Sequence, residues 1–260
     1  MTLITGASTG IGAEFAHQFA ARGHDLVVVA RGADRLNELA AQLRAAHGVD
    51  VTVLAVDLSV PAAAEELWQH TNRLGLEIAV LVNNAGIGIH SDIADADPRR
   101  LEEAVELNCT TLVGTTARYL PQMRARGAGT IINVASTAAF WPLPKMAVYG
   151  ATKAFVLSFT EALWAEERRH GVRVLAVCPG MTDTAFFEVA GGAAAEGAAL
   201  SAALRLTRTP QQVVENTMRA LSGHKPSFVD GAANAFVARL LIRVLPRRLL
   251  IAITGRLVGG

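Results

Sequence analysis

The sequence predicts an α/β protein with a Rossmann-like, doubly wound parallel sheet flanked by helices. Two patterns support this fold class. Short, mainly apolar runs alternate with segments of helical length, and a glycine-rich turn lies between the first apolar run and the first helical segment. Continuous apolar runs are typical of strands that are buried on both faces of a parallel sheet. Right-handed crossovers through the intervening helices then connect these strands.

Each predicted element follows from this alternation. An N-terminal strand precedes the glycine-rich turn, a short last strand follows Pro226, and the strands between them are predicted at 26–30, 51–56, 78–82, 130–134 and 172–177. The helical segments that separate the strands are 11–22, 33–46, 61–73, 98–124 and 148–170. A further helix is predicted to begin at Thr209–Pro210.

Composition limits the class of protein. The 260 residues are 51% hydrophobic and 18% charged, which excludes a disordered chain. The 24 Lys and Arg nearly balance the 23 Asp and Glu, so no overall field attracts nucleic acid. Because no linker rich in proline, serine or charge interrupts the first two thirds of the chain, a single domain over residues 1–260 is predicted.

The same sequence predicts a cytoplasmic protein without a metal. Cys109 and Cys178 lie far apart and outside any cysteine–histidine cluster, which argues against a zinc site and against a disulfide framework. The N-terminus has no basic region followed by a long apolar stretch. No uncharged apolar stretch reaches the ~18 residues that a membrane span needs.

The glycine-rich turn Thr5-Gly6-Ala7-Ser8-Thr9-Gly10-Ile11-Gly12 has the properties of a pyrophosphate site. Glycines let the backbone approach phosphates, and a helix N-terminus presents free N–H groups and a positive dipole. An ordinary glycine turn is the alternative, but placement between a first strand and a first helix favours the nucleotide site. The predicted contacts are Gly6, Ser8, Thr9, Gly10, Ile11 and Gly12.

The end of the second strand predicts the cofactor. NAD-binding proteins usually carry an acid there for the ribose hydroxyls. This strand ends Val29-Ala30-Arg31, without an acid, and Arg31 is able to bind a 2′-phosphate through charge-assisted hydrogen bonds. NADP(H) is therefore predicted in preference to NAD(H), with a solvated arginine as the alternative.

Tyr149 and Lys153 are four residues apart, so they share one face if the segment is helical. A nearby cation favours phenolate and lowers the pKa of a tyrosine, which makes Tyr149 a candidate general acid and base toward a carbonyl or alcohol. Ser136 ends an apolar run thirteen residues upstream. A serine at that strand end is placed to hydrogen-bond a substrate oxygen.

Taken as an ordered set, these motifs resemble the short-chain dehydrogenase/reductase family, in its compact single-domain branch. The resemblance covers about residues 2–230. It rests on TGASTGIG at 5–12, Asp57-Leu58, Asn83-Asn84-Ala85-Gly86, Asn108, Ser136, Tyr149 with Lys153, and Pro179-Gly180 with Thr184.

The resemblance implies a role for each residue. Tyr149 exchanges the proton with the substrate oxygen, Lys153 binds the nicotinamide ribose, and Ser136 orients the carbonyl. Asn108 supports a water that relays protons to Lys153. The remaining implied cofactor contacts are Asp57 and Leu58 at the adenine, Asn83 or Asn84 with Ala85 and Gly86 at the ribose, and Pro179, Gly180, Thr182 and Thr184 at the carboxamide.

Aromatic side chains cluster near these residues although aromatics make up only 5% of the chain. Together with Ser136 and Tyr149, the predicted substrate residues are Phe140, Trp141, Phe186 and Phe187. They indicate an apolar carbonyl substrate, with packing under a lid as the alternative. The Ala/Gly-rich segment 185–208 follows the sixth strand and is predicted to be that lid rather than a surface loop.

Residues 232–260 are predicted to form an amphipathic C-terminal extension. Arg239, Arg243 and Arg247 share one helix face opposite Phe236, Leu240, Leu241 and Val244, and Pro246 interrupts the helix. Two alternatives remain open. The extension covers its own core or a neighbouring subunit, or it lies peripherally on an anionic membrane.

The predicted function is that of an NADP(H)-dependent oxidoreductase that interconverts an apolar ketone or aldehyde and its alcohol. A 3-oxoacyl-thioester reductase is the main alternative, and its acyl carrier partner would need a basic patch such as Arg99, Arg100, Arg124 and Arg126. A non-catalytic dinucleotide-sensing regulator is less favoured because the tyrosine and lysine are both kept. The resemblance implies a homodimer or homotetramer that pairs through the helices containing Asn108 and Tyr149.

Overall fold

The computed structural model describes residues 1–186, 190, 207–238 and 245–259. Within them, seven parallel strands form one sheet in the order β3-β2-β1-β4-β5-β6-β7. The order reverses between β1 and β4, which is the point where doubly wound sheets bind ligands. The strands are β1 Thr2–Thr5, β2 Leu26–Ala30, β3 Val51–Ala55, β4 Val80–Asn83, β5 Gly129–Val134, β6 Val172–Cys178 and β7 Ser227–Val229.

Helices connect the strands as the alternation predicts. They are α1 Gly10–Ala20, α2 Ala33–His47, α3 Ala63–Arg73, α4 Pro98–Val105, α5 Thr111–Arg126, α6 Ala147–Glu167, α7 Pro210–Ala220, α8 Ala232–Phe236 and α9 Arg247–Gly259. One expectation is wrong: the helix predicted over 98–124 is divided by a π-helical turn at Glu106–Thr110. A short 3₁₀ helix, Thr137–Phe140, follows β5.

The two faces of the sheet are covered by different helices. Ile4 and Val28 face a cluster that includes Phe15 of α1. Their chain neighbours Leu3 and Val27 face the opposite cluster, because successive side chains of a strand alternate between faces. Each fully buried side chain of this size contributes about 1.5–3 kcal/mol. This alternation confirms the doubly wound architecture and explains why both faces of the strands are apolar.

Helix α9 packs one face against its own chain. Leu250 and Thr254 are buried, and the Thr254 hydroxyl donates to the carbonyl oxygen of Pro142 at 3.0 Å. Leu249 and Ile253 on the other side are exposed. The helix begins immediately after Pro246. This placement supports packing on the own chain for residues 247–256, while contact with a subunit or membrane stays a prediction. The predicted interruption of a longer helix at Pro246 also stays a prediction, because residues 239–244 lie outside the described residues.

Several expectations fall outside the described residues. They are Phe187, most of the predicted lid (187–189 and 191–206) and the part of the extension that carries Arg239, Leu240, Leu241, Arg243 and Val244. In the part of the chain that the structure describes, no helix is both long enough and apolar enough to cross a bilayer.

Candidate active site

A cavity of about 820 Å³ lies at the carboxyl ends of the strands, across the point where the strand order reverses. It brings together residues that are distant in sequence, from the turn after β1 to the segment after β6. The predicted site residues that line it are Gly6, Ser8, Thr9, Gly10, Ile11, Arg31, Leu58, Asn84, Ala85, Gly86, Ser136, Trp141, Tyr149, Lys153, Pro179, Gly180, Thr182, Thr184 and Phe186.

Two predicted cofactor contacts have structural positions instead. The Asn83 side chain is buried and donates to Asn133 Oδ1 at 2.9 Å, tying β4 to β5. Its neighbour Asn84 is the one that lines the cavity. Gly12 also lies outside the lining, and a Cβ there would be 2.1 Å from the carbonyl oxygen of Gly6. Gly12 is therefore needed for the close approach of helix α1 to the turn.

Three further predicted site residues lie outside the cavity wall. The Asp57 carboxylate accepts hydrogen bonds from the Ser59 amide and hydroxyl. Phe140, which was expected to contact substrate, packs instead against the core cluster that contains Val156. Asn108 is buried behind the cavity. For these residues the sequence gives the correct neighbourhood but not the direction of the side chain.

The glycine-rich turn fits a bound pyrophosphate. Gly6 and Gly10 have φ of +64° and +58°, a region that favours glycine. A Cβ on Gly6 would lie 2.9 Å from Ala85 Cα, so the turn also packs closely against the segment after β4. The Thr9 side chain makes no capping hydrogen bond, and the first turn of α1 carries no acid. The N–H groups and positive dipole of α1 therefore remain directed at the cavity.

The end of β2 adds a second cation that sequence reasoning missed. Arg35 lines the cavity with Arg31 and Asp34. Its signal was the spacing of four residues from Arg31, where α2 begins. Burial raises the pKa of Asp57, but hydrogen bonds from Ser59 and then the charge of Arg31 outweigh it and lower the pKa overall. Asp57, just after β3, is therefore an acidic neighbour of Arg31, in addition to Asp34 in the first turn of α2.

The candidate catalytic side chains meet where β5, β6 and α6 adjoin. Tyr149 and Lys153 lie on successive turns of α6, with Lys153 Nζ 5.8 Å from the centre of the Tyr149 ring. Lys153 is only 5% exposed, and its ammonium donates to the carbonyl oxygen of Val134 at 2.7 Å. Ser136 Oγ accepts from the Ala138 amide at 3.1 Å, which fixes the hydroxyl at the start of the 3₁₀ helix.

Burial dominates the titration of both groups. It raises the pKa of Tyr149 to about 12, with the Ser136 hydroxyl acting in the opposite direction. It lowers the pKa of Lys153 from 10.5 to about 8. Desolvation of the phenolate therefore sets the direction of the Tyr149 shift in this structure, and a lowering of the tyrosine pKa by the lysine stays a prediction. At neutral pH Tyr149 is a neutral phenol, the form that donates a proton.

The π-helical turn places Asn108 between two parts of the site. Its Oδ1 accepts from the Ile87 amide at 3.0 Å, and its Nδ2 donates to Ile87 O and to Thr152 Oγ1. A Cβ on Gly86 would lie 3.1 Å from Asn108 Oδ1 and 3.4 Å from Lys153 Nζ. Asn108 therefore joins the segment after β4 to α6. Single-turn π-helices of this kind occur frequently at functional sites.

The other half of the cavity is apolar and includes residues that the sequence analysis missed. Leu143 and Met146 line it beside Trp141. The ring of Phe186 lies 5.3 Å from that of Tyr149, centre to centre. No periodicity in the sequence predicted that Leu143 and Met146 line the cavity.

A glycine makes room for Phe186 in this half of the cavity. A Cβ on Gly88 would be 2.8 Å from Phe186 Cζ and 3.0 Å from Met146 Cε. A larger residue at 88 would therefore displace the ring that covers Tyr149.

The basic residues considered as a carrier-protein patch do not gather at the cavity mouth. Arg126 donates to the carbonyl oxygen of Ile78, just before β4, and Arg124 is paired with the buried Glu167. Both lie toward the amino-terminal edge of the sheet, opposite the cavity. Arg100 pairs with Glu103 on α4.

Comparison with known proteins agrees with this fold. The sequence model of the short chain dehydrogenase family matches residues 1–195. The chain belongs to that family and is an oxidoreductase of the class that acts on CH–OH groups.

Two relatives illustrate the range of the family. A sulfoacetaldehyde reductase 2 of Chromohalobacter salexigens is 38% identical over 216 residues, which are 82% of this chain and 83% of that protein. A very-long-chain 3-oxoacyl-CoA reductase of Phaeosphaeria nodorum is 31% identical over 191 residues, 72% of this chain. The chain spans only 56% of the length of the latter relative.

Solved structures show the same architecture over nearly the whole chain. A structure from a study of 7beta-hydroxysteroid dehydrogenase stereoselectivity has a TM-score of 0.88 at 28% identity, covering 98% of this chain and 96% of that one. A short-chain dehydrogenase from Sphingobium yanoikuyae in complex with NADPH has a TM-score of 0.82 at 34% identity, covering 96% and 94%.

Proposed function

We propose that this protein is an NADP(H)-dependent reductase of apolar ketones or aldehydes, acting in reverse as an alcohol dehydrogenase. The observation that carries the proposal is the position of Tyr149. Its neutral phenol lies in the wall of one cavity that has a glycine-rich anion cradle at one end and apolar side chains at the other. A proton donor between a cofactor cradle and an apolar pocket suits carbonyl reduction.

The cradle fits the cofactor, since glycine is needed where the turn meets its neighbours and the α1 amides face the cavity. The bound nicotinamide cofactor supplies the hydride. The turn from Gly6 to Ile11 would hold its pyrophosphate. Arg31 and Arg35 would hold a 2′-phosphate, which supports NADP(H), and the NADPH-bound relative from Sphingobium yanoikuyae is consistent with this choice.

The chain's own groups position and protonate the carbonyl. Tyr149 donates its phenolic proton to the developing alkoxide, and the Ser136 hydroxyl donates a hydrogen bond to the same oxygen. Lys153 presents a buried ammonium beside the phenol, where it would hold the nicotinamide ribose and stabilise the Tyr149 phenolate that remains after the proton is donated. Asn108 acts through its neighbours, because its side chain is fully engaged with Ile87 and Thr152.

The substrate half of the cavity favours an apolar group on the carbonyl. Trp141, Leu143, Met146 and Phe186 line it. No arginine or lysine lies among these four residues, which favours an uncharged group on the substrate at this part of the wall. An apolar ketone gains from burial against such walls.

The test is NADPH oxidation with a panel of apolar ketones and aldehydes. Tyr149→Phe should lower kcat at least about 100-fold, because a positioned general acid contributes about 10²–10⁴. The chain offers a matched control, since its other tyrosine, Tyr119 of α5, is buried and its hydroxyl is hydrogen-bonded to that of Thr71 in α3. Tyr119→Phe removes the same hydroxyl and should leave kcat unchanged. Equal activity of wild type and Tyr149→Phe would refute the role of the tyrosine.

Cofactor preference has its own test. Arg31→Leu should lower kcat/KM for NADPH and leave that for NADH nearly unchanged, because the lost interaction is with the 2′-phosphate alone. Arg22→Leu, at an exposed position after α1, is the control. A wild-type preference for NADH would contradict the assignment of Arg31.

A 3-oxoacyl-thioester reductase is the second candidate, favoured by the 31% identity to the fungal very-long-chain 3-oxoacyl-CoA reductase. NADPH oxidation with 3-oxoacyl-CoA substrates of increasing chain length distinguishes it. A kcat/KM that rises with chain length and exceeds that for simple ketones would favour this candidate.

We further propose that the single domain assembles into a homodimer or homotetramer through the helical segment that contains Asn108 and continues as α5, and through α6, which contains Tyr149. Phe155 of α6 is 44% exposed although its ring stacks on Phe159. Burial of such an apolar side chain stabilises a subunit contact. Phe155→Glu should shift the sedimentation coefficient toward that of a monomer, and an unchanged coefficient would contradict this contact.

A further inference from the structure

A second cavity, of about 210 Å³, lies at the amino-terminal edge of the sheet, opposite the candidate active site. Its walls are the end of α6, the start of β6 and the turn after α7. Val172 and Leu175 are among the apolar residues beneath it. We name it the basic cavity for the side chains at its rim.

Four basic side chains line the basic cavity: Arg168, Arg173, His224 and Lys225. Among the described residues that line this cavity, none is a carboxylate. Within the described ranges, none of these four takes part in an ion pair of 4 Å or less. Like charges confined around one depression repel each other, so the arrangement is stabilised when an anion enters.

Helix geometry does not account for this clustering. Arg168 caps the C-terminus of α6, where a cation interacts favourably with the helix dipole. Arg173 is in β6, and His224 and Lys225 are in the turn before β7, so the same explanation does not extend to them. These three converge from different elements on the space beside Arg168.

The remaining wall is suited to a small organic anion. The Arg168 guanidinium lies 5.3 Å from the centre of the Trp164 ring, and both residues line the cavity. Guanidinium groups bind phosphate oxygens in pairs, and lysine adds a point charge. A volume of about 210 Å³ holds a small polyphosphate and excludes a polymer.

We propose that the basic cavity binds a small phosphate-bearing metabolite, with Arg168 and Arg173 as the principal contacts. The site is separate from the cofactor cradle, because the two cavities open at opposite edges of the sheet. The proposal is independent of the proposed reductase function, since it uses none of the residues assigned there.

The test is calorimetric titration of the full chain with inorganic pyrophosphate, in the presence of saturating NADP⁺ so that the cofactor cradle is filled. One site per chain is expected. Arg168→Gln/Arg173→Gln should weaken binding at least tenfold. Arg169→Gln is the matched control, because it removes the same charge from the adjacent, exposed position that does not line the cavity.

Absence of a site in the wild type would overturn the proposal, as would equal weakening by Arg169→Gln. If the double variant fails to fold, Lys225→Gln in the exposed turn takes its place, and unchanged binding in that variant would overturn the proposal. A lipid headgroup offers the same chemistry. Sedimentation with phosphatidic acid vesicles, lost in the double variant and not competed by pyrophosphate, would also overturn the assignment to a free metabolite.

Discussion

Lys153→Met exchanges a buried ammonium for an apolar side chain of similar length. At pH 7 it should raise the stability of the fold while it removes the reductase activity. Lys153 is 5% exposed, and burial lowers its pKa from 10.5 to about 8. A shift of that size corresponds to about 3 kcal/mol of destabilisation of the folded state at pH 7, from about 1.4 kcal/mol per unit. The variant is free of this destabilisation, but it also loses the hydrogen bond to Val134, which lowers its stability by about 1–2 kcal/mol.

The sign of the pH dependence follows from the two pKa values. In the unfolded chain Lys153 binds its proton up to about pH 10.5, whereas in the folded chain it releases the proton near pH 8. Below pH 8 both states are charged and the destabilisation is complete. Between pH 8 and 10.5 the unfolded state binds more protons, so the stability contributed by this residue rises with pH. Above both values the penalty disappears.

The assay is urea denaturation at pH 7, 8, 9 and 10 without cofactor, on wild type and Lys153→Met. Subtracting the variant's free energy of unfolding from that of the wild type at each pH cancels the contributions of the other titrating groups. The wild type should gain about 2 kcal/mol relative to the variant between pH 7 and 10, while the variant loses reductase activity. Arg22→Met, at an exposed position outside both cavities, is the control and should give a flat difference. A pH-independent difference for Lys153→Met would refute the buried-cation argument.

Three further predictions follow from close contacts. Gly88→Ala should displace Phe186 and lower kcat/KM for bulky ketones about tenfold, the equivalent of about 1.4 kcal/mol of overpacking, as measured in steady-state kinetics; unchanged kinetics would contradict the contact. Thr254→Val should destabilise the docking of α9 by about 1 kcal/mol through the lost bond to Pro142, seen as faster amide exchange in α9, and equal exchange would count against it. Gly12→Ala should lower the free energy of unfolding by about 1–3 kcal/mol, because its Cβ would lie 2.1 Å from the carbonyl oxygen of Gly6. This loss should appear as a lower midpoint of urea denaturation, and an unchanged midpoint would exclude the clash.

The sheet could be predicted because its strands carry the information locally. Runs such as Leu26–Ala30 are apolar on both faces, which only a strand covered by helices on both sides satisfies. The glycine-rich turn was predictable for a similar reason, since Gly6 and Gly10 occupy backbone conformations that favour glycine. Tyr149 and Lys153 followed from helical spacing.

The parts that could not be predicted depend on contacts between distant segments. Asn83 and Asn84 are adjacent, and only the register of β4 decides which one enters the sheet and which one lines the cavity. The π-helical turn contains Asn108, whose hydrogen bonds are to Ile87 and Thr152. Both partners belong to segments that are distant from Asn108 in the chain. The raised pKa of Tyr149 depends on burial, which no spacing of residues reports.

In the proposed reaction, Tyr149 protonates a carbonyl that receives hydride from NADPH in the described cavity. Transfer of deuterium from C4-deuterated NADPH to the carbonyl carbon of an apolar ketone tests it most directly. Wild type and Tyr119→Phe should form labelled alcohol at the same rate, and Tyr149→Phe should form it at least about 100-fold more slowly while still binding NADPH. Equal rates of labelled product in wild type and Tyr149→Phe would contradict the account.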